Sequence, residues 1–219
     1  MNVSPRATRR IPGAKKVGRK PAFTREDVVA AAIAEGIDRF RLSAVADRLG
    51  VVPAAIYRLF PSRDDLVVAC LDAAGATLRM PEPGMSWRET LSLWADECWR
   101  VCEDFPGLSG LVYAYPSAFT RIEYVFAAYA ANLKAQGKST RQAMFALDFI
   151  GDSVFASHLS VESMRSVDED GTSGLDRVRA AIGDADVVME PQDSWTDRGA
   201  VDTKIDFILT GLERHWPEL

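Results

Sequence analysis

The chain has 219 residues, an apolar fraction of 47% and three cysteines, enough to build a sizeable buried core without a disulfide framework. No apolar run approaches the roughly 18–20 residues that cross a bilayer, and the N-terminus lacks an apolar signal core, so export and membrane insertion are not expected and the cytoplasm is. The net charge of −5 is unevenly spread: residues 1–25 carry eight Lys and Arg and no acid, leaving −13 on the rest. A basic arm on an acidic body points to a polyanionic partner, although a solubilising tail has the same composition.

Residues 1–21 hold three prolines and two glycines without apolar periodicity and read as a disordered basic arm. Helical signals begin at Thr24, an N-cap with Asp27 three residues on, followed by Val28, Ala31, Ala32, Ile33, Ile37 and Phe40; Gly36 falls near the end. SAVADRLG is a short helix closed by Gly50. Val52–Phe60 is the next, with Pro53 in its first turn and Pro61 beyond its end. Ser62 caps a longer helix carrying Leu66, Val67, Cys70, Leu71, Ala74 and Leu78.

MPEPG (80–84) is a break, and Ser86 with Glu89 forms a capping box for a helix bearing Trp87, Leu91, Trp94, Cys98, Val101 and Cys102. Cys98 and Cys102, four apart, read as buried structural thiols rather than a metal or redox pair. A helical run spans about 117–135. A further capping box, Ser139 with Gln142, opens a long helix of about 140–164. After an acidic loop (167–174), a short helix is expected near 175–182, then mostly loop (183–199), then a last helix of about 201–216. No repeat and no convincing strand occur, so the fold class is all-α.

Two short helices joined by a glycine turn and preceded by a third form the skeleton of a helix-turn-helix. Ala46, Leu49, Val51, Ile56 and Phe60 can pack inward, leaving Pro53, Ala54, Ala55, Tyr57, Arg58 and Leu59 outward. The stretch VADRLGVVPAAIYRLFPSRDDLV resembles the N-terminal domain of the TetR (tetracycline-repressor) family. The resemblance rests on Val45, Ala46, Leu49, Gly50, Val51, Ile56, Tyr57, Phe60, Ser62, Arg63 and Leu66, with Gly36 at the end of the first helix. It covers about 45 residues. The chain departs from the family pattern at Val52, Ala54 and Ala55, where hydroxyl or other polar residues are common, at Arg63, where the family has Lys, and at Phe40–Leu42, where Thr is common.

The resemblance implies an N-terminal three-helix helix-turn-helix domain (22–66) and a larger helical ligand-binding and dimerisation domain (67–219). The expected partners are double-stranded DNA, a small-molecule effector and a second copy of the chain, with no membrane. Ser43, Tyr57 and Arg63 are the expected phosphate contacts. Arg58 is the only long donor on the outer face of the second short helix and can read guanine. Pro53, Ala54 and Ala55 offer only apolar contact. Arg19 and Lys20, with the rest of the arm, can follow the DNA backbone or enter a minor groove.

For the ligand pocket, Trp94, Trp99, Phe119, Tyr124, Phe126 and Phe149 are the candidate walls and His158 a candidate polar anchor, though each suits a core equally well. The composition suggests an apolar or aromatic ligand. Leu147, Ile150, Val154, Ile208 and Leu212 are the candidate dimer contacts. The chain contains only two histidines, His158 and His215, and no phosphate-binding glycine loop, zinc-spaced thiols or nucleophile elbow. No catalytic residue, metal ligand or cofactor is therefore expected. The expected function is a ligand-responsive repressor that binds a pseudo-palindromic operator as a dimer. The alternative is a helical small-molecule-binding protein with a degenerate head.

Overall fold

The computed structural model describes residues 23–183, 188 and 190–219; the basic arm, with Arg19 and Lys20, lies outside them. Among the described residues there are ten α-helices and a single isolated bridge, Val167 to Ser173, so the fold is all-α.

Reciprocal capping boxes account for four of the helix starts. The first helix, α1 (Arg25–Glu35), begins at Thr24, whose side chain accepts from the Asp27 amide while the Asp27 carboxylate accepts from the Thr24 amide. The same reciprocal box, Ser62 with Asp65, opens α4 (Arg63–Gly75), and Ser86 with Glu89 opens α5 (Trp87–Asp104). Ser139 with Gln142 opens α8 (Thr140–Arg165). Each box satisfies two backbone donors that the helix itself leaves unpaired.

Between α1 and α4 lie α2 (Leu42–Leu49) and α3 (Pro53–Tyr57). Gly50 joins them with φ 65° and ψ 33°, the left-handed conformation that L side chains resist. The helix expected over 52–60 is only five residues long. After Tyr57 the Leu59 and Phe60 amides both turn back to the Ile56 carbonyl, and the Leu59 carbonyl is taken by the Arg25 guanidinium. Pro61 disfavours helical backbone at Phe60 and keeps the helix from extending.

Beyond α5, α6 (Leu108–Ala114) is a short helix that the sequence reading had not anticipated. The run expected at 117–135 divides into a 3-10 turn (Ala118–Ile122) and α7 (Glu123–Ala135). Two helices close the chain, α9 (Gly174–Ile182) and α10 (Gly199–Arg214). The last ends before Trp216, which leaves the helix and meets Trp87 edge-on at 5.4 Å.

The buried side chains form two clusters. One gathers α1–α4 around Val28, Ile37, Ile56, Phe60, Leu66 and Cys70, and reaches Val101, Phe105 and Leu111 of the next helices. The other packs α5, α7, α8 and α10 around Trp94, Tyr129, Leu147, Ile150 and Leu209. Leu78 and Phe155 touch both. Cys70, Cys98 and Cys102 are free and buried, and burial raises each thiol above its ordinary range.

Polar links tie the head (α1–α4) to the body. The Ile37 amide donates to the Pro106 carbonyl at 3.0 Å. Tyr115 donates to Asp64 at 2.7 Å, and Arg121 pairs with Asp72 at 2.6 Å. At Gly107 (φ 90°), an added Cβ would sit 2.1 Å from the Asp38 carboxylate, so this contact requires glycine. The fully buried Glu97 accepts from the Arg79 amide and from the Arg79 and Arg100 guanidiniums, pinning the α4–α5 connection to α5. Burial pushes its carboxyl up, but the Arg100 and Arg79 hydrogen bonds outweigh this and hold it at about 2.

Candidate functional site

Two features of the described structure stand apart from ordinary packing: the outer face of α2 and α3, and a cavity in the body. The first is built by sequence-local signals. Gly50 sets the turn, while Val45 and Ala46 of α2 and Ala55 and Ile56 of α3 anchor both helices to α1 and α4. With those residues inside, Pro53, Ala54, Tyr57 and Arg58 are exposed, and Tyr57 is half-exposed at 50%.

Ala55 departs from expectation. It is 5% exposed and packs inward beside Ile56, because a five-residue helix on a flat core buries two consecutive positions. Leu59 is also half-buried against the head core.

A surface depression brings Ser43, Pro53, Tyr57 and Arg63 together with Arg39 and Arg41. Arg39 and Arg41 were not among the expected contacts, although the alternating cations of RFRLS carry the signal. Arg63 is already engaged: its guanidinium donates to the Asp38 carbonyl at 2.6 Å and the Phe40 carbonyl at 3.3 Å, and lies 4.7 Å from the Phe40 ring centre. It therefore fixes the α1–α2 loop that carries Arg39 and Arg41. Arg25 likewise stacks on Phe60, 4.0 Å from its centre, and serves the head core. Arg58 makes no hydrogen bond or ion pair among the described residues and is free to reach outward.

The second feature is an apolar cavity of about 140 Å³ formed by α4, α5, α6, the 3-10 turn, α7 and α8. Of the candidate walls, Trp94, Phe119 and Phe126 line it. The Trp94 indole donates to the Leu147 carbonyl at 2.8 Å, so its polar edge needs nothing from a ligand. The remaining candidates lie elsewhere. Trp99 packs against His158, ring centres 4.8 Å apart. Tyr124 is half-exposed and donates to the Gly75 carbonyl at 3.1 Å. Phe149 faces solvent beside Phe145.

His158 is 2% exposed, bonds Glu103 through Nε2 at 3.2 Å and places Nδ1 3.7 Å from Glu162. It is the buried member of a partly exposed polar cluster, in which Glu162 also accepts from Ser109 at 2.5 Å. Burial pushes the Glu162 carboxyl up, but His158 and Ser109 together bring it below its usual range. Leu71, Ile122, Phe155, Asp148 and Asp152, which the sequence did not single out as pocket residues, are also in the lining. The wall contributed by Leu71, Ala74 and Gly75 is the C-terminal half of α4, whose N-terminus carries Arg63.

The expected dimer contacts lie in the interior of the single chain. Leu147, Ile150 and Val154 are fully buried within the chain, and Ile208 and Leu212 nearly so, because they form the seam between α8, α10 and the rest of the body. The large apolar side chains that α8 and α10 leave uncovered are Met144, Phe145, Phe149 and Leu159 of α8, 38–46% exposed, and Phe207 of α10, 81% exposed. A helical stripe in the sequence marks a buried face without saying what buries it.

Among the described residues no group of three or more His, Cys, Asp and Glu is placed to hold a metal ion, and no helix is long and apolar enough to cross a membrane.

Known proteins provide a match at the head. A sequence profile described as bacterial regulatory proteins, tetR family, matches residues 29–70. An HTH-type transcriptional regulator of Saccharopolyspora erythraea is 32% identical over 207 residues, spanning 88% of this chain and 86% of the relative. Among solved structures, TetR from Acinetobacter baumannii superimposes with a TM-score of 0.63 at 21% identity, covering 88% of this chain and 97% of that one. ActR of Streptomyces coelicolor, a TetR family protein in complex with (S)-DNPA, gives 0.54 at 19% identity, covering 87% and 97%. At such identities these structures bear on the fold.

Proposed function

The chain belongs to the tetR family of bacterial regulatory proteins, and from that premise we propose that it is a repressor that binds a pseudo-palindromic operator as a dimer and is released by a small molecule. The observation that carries the reading is the convergence of Arg39, Arg41, Ser43 and Tyr57 on one depression beside the free Arg58. Ser43, Tyr57, Arg39 and Arg41 take phosphates, and Arg58 reads a guanine edge. Pro53 and Ala54 allow close approach to thymine methyls. Arg63 positions this set from behind. The basic arm, including Arg19 and Lys20, adds backbone affinity. Such a protein works beside the chromosome, in the cytoplasm.

One head supplies little affinity, so two are joined through the exposed α8–α10 face at Phe145, Phe149 and Phe207. The effector occupies the apolar cavity; ActR, a protein of similar fold, is known in complex with (S)-DNPA. Filling the cavity displaces Leu71, Ala74 and Gly75, and α4 carries the displacement to Arg63 and the α1–α2 loop. A ligand acts as a switch only by favouring one placement of the heads over the other.

Selection of bound duplexes from a random pool, followed by titration against salt, tests the reading. A two-fold related sequence whose affinity falls steeply with salt is expected. Failure of the purified protein to bind any duplex rejects it and favours a ligand-binding protein with a degenerate head. The poverty of donors on α3 is what keeps that second reading alive.

A further inference from the structure

The cavity that the proposed function assigns to an effector has a feature that its apolar walls do not explain. Its aromatic lining, Trp94, Phe119, Phe126 and Phe155, contains no Lys, Arg or His, yet Asp148 and Asp152 stand on its rim. They are four residues apart on α8, on one face of the helix, both exposed to solvent. Neither carboxylate has a hydrogen-bond or ion-pair partner among the described residues, whereas many other acids of the body are paired with arginine. Loss of water and the neighbouring Asp148 both raise the Asp152 carboxyl above its ordinary range. Two unpaired like charges at the mouth of an apolar hole repel an anion and attract a cation.

We propose that the effector is a small hydrophobic amine, its apolar body in the cavity and its cationic nitrogen between Asp148 and Asp152. This rests on the assignment of the cavity as the effector site. The volume of about 140 Å³ sets the size of the body, because a cavity of that order holds one benzene-sized ring. The aromatic walls suit a ring by edge and face contacts and favour a nearby cation through their π-faces. The polar edge of Trp94 is already satisfied, leaving the rim carboxylates as the polar groups that orient the ligand.

Three probes that share one ring and differ in charge test the proposal on the full-length protein: phenethylamine, phenethyl alcohol and phenylacetate, each followed by calorimetry and by displacement of bound duplex. The amine is expected to bind about tenfold or more tighter than the alcohol, with phenylacetate weakest. In the double variant Asp148→Asn, Asp152→Asn the amine should fall to the level of the alcohol while alcohol affinity stays unchanged, which also reports that the cavity is intact. Equal affinities, preference for phenylacetate, binding of none of the three, or an amine preference that survives the double substitution each overturns the proposal. If the amine binds with the expected preference and duplex affinity does not change, the ligand class stands and the switch falls.

Discussion

The head and the body solve opposite electrostatic problems with the same helical parts. On the head, Arg39 and Arg41 line a depression at the short helices α2 and α3, and Arg58 is exposed at the end of α3. In the body, the cavity is walled by aromatic and aliphatic side chains and rimmed by carboxylates. The head's surface presents cations that suit a repeating anion. The cavity suits a small guest and sits where α4, α5, α6, the 3-10 turn, α7 and α8 converge. The difference teaches that the same helical parts present cations on one side and an apolar hole edged by carboxylates on the other, with α4 shared between them.

The largest expected effect comes from the lock at the base of α4. Glu97→Ala should cost about 3–5 kcal/mol by denaturant unfolding, since it removes the buried acceptor of the Arg79 amide and of two guanidiniums, each charge-assisted bond being worth about 1.5–3 kcal/mol. The same group gives a pH signature. Its folded carboxyl lies near 2, below its unfolded value of 4.5, so its contribution is complete above about pH 5 and is lost as pH falls toward 2. On the order of 3 kcal/mol of the acid-induced loss should vanish in Glu97→Gln; an unchanged acid profile would remove this account.

In the head, Phe60→Ala should cost about 3–5 kcal/mol. If the two regions unfold together, tryptophan fluorescence from the body and far-ultraviolet dichroism will give one midpoint. Two midpoints would show that the head melts alone. Gly107→Ala tests the contact between the regions: the positive φ and the clash with Asp38 predict a loss of about 1–3 kcal/mol. Duplex affinity should fall more than body stability accounts for; a loss confined to stability would argue against coupling through this turn.

Arg58→Ala should relax discrimination at one base pair by about 1–3 kcal/mol, read from selected sequences, with the salt slope nearly kept. A uniform loss with a reduced slope would make Arg58 a phosphate contact instead. The smallest effect is expected for Tyr57→Phe, about 0.5–1.5 kcal/mol of duplex affinity with stability unchanged.

Much of the head was legible beforehand because its signals are local. Thr24 with Asp27, Gly50, Pro53 and Ser62 with Asp65 each act within four residues of where they stand. The body was legible only as a set of helices. Its capping boxes at Ser86 and Ser139 placed α5 and α8, but α6 was missed, being seven residues long between a glycine and Pro116. Leu147 read as a dimer contact and is cavity lining; Phe149 read as cavity lining and is exposed. Both lie on α8, and periodicity alone cannot say which neighbour covers which side of a 26-residue helix.

The amino-acid sequence by itself determined the all-α class, the capped starts of the longer helices, the glycine turn of the helix-turn-helix and the outward placement of Tyr57 and Arg58. These depend on backbone chemistry and spacing within a few residues. Only the tertiary structure decided that Ala55 turns inward, that Arg63 braces the α1–α2 loop, and that Asp148 and Asp152 meet an aromatic cavity. Those outcomes depend on which distant elements pack together, and burial and electrostatic neighbours are properties of that packing.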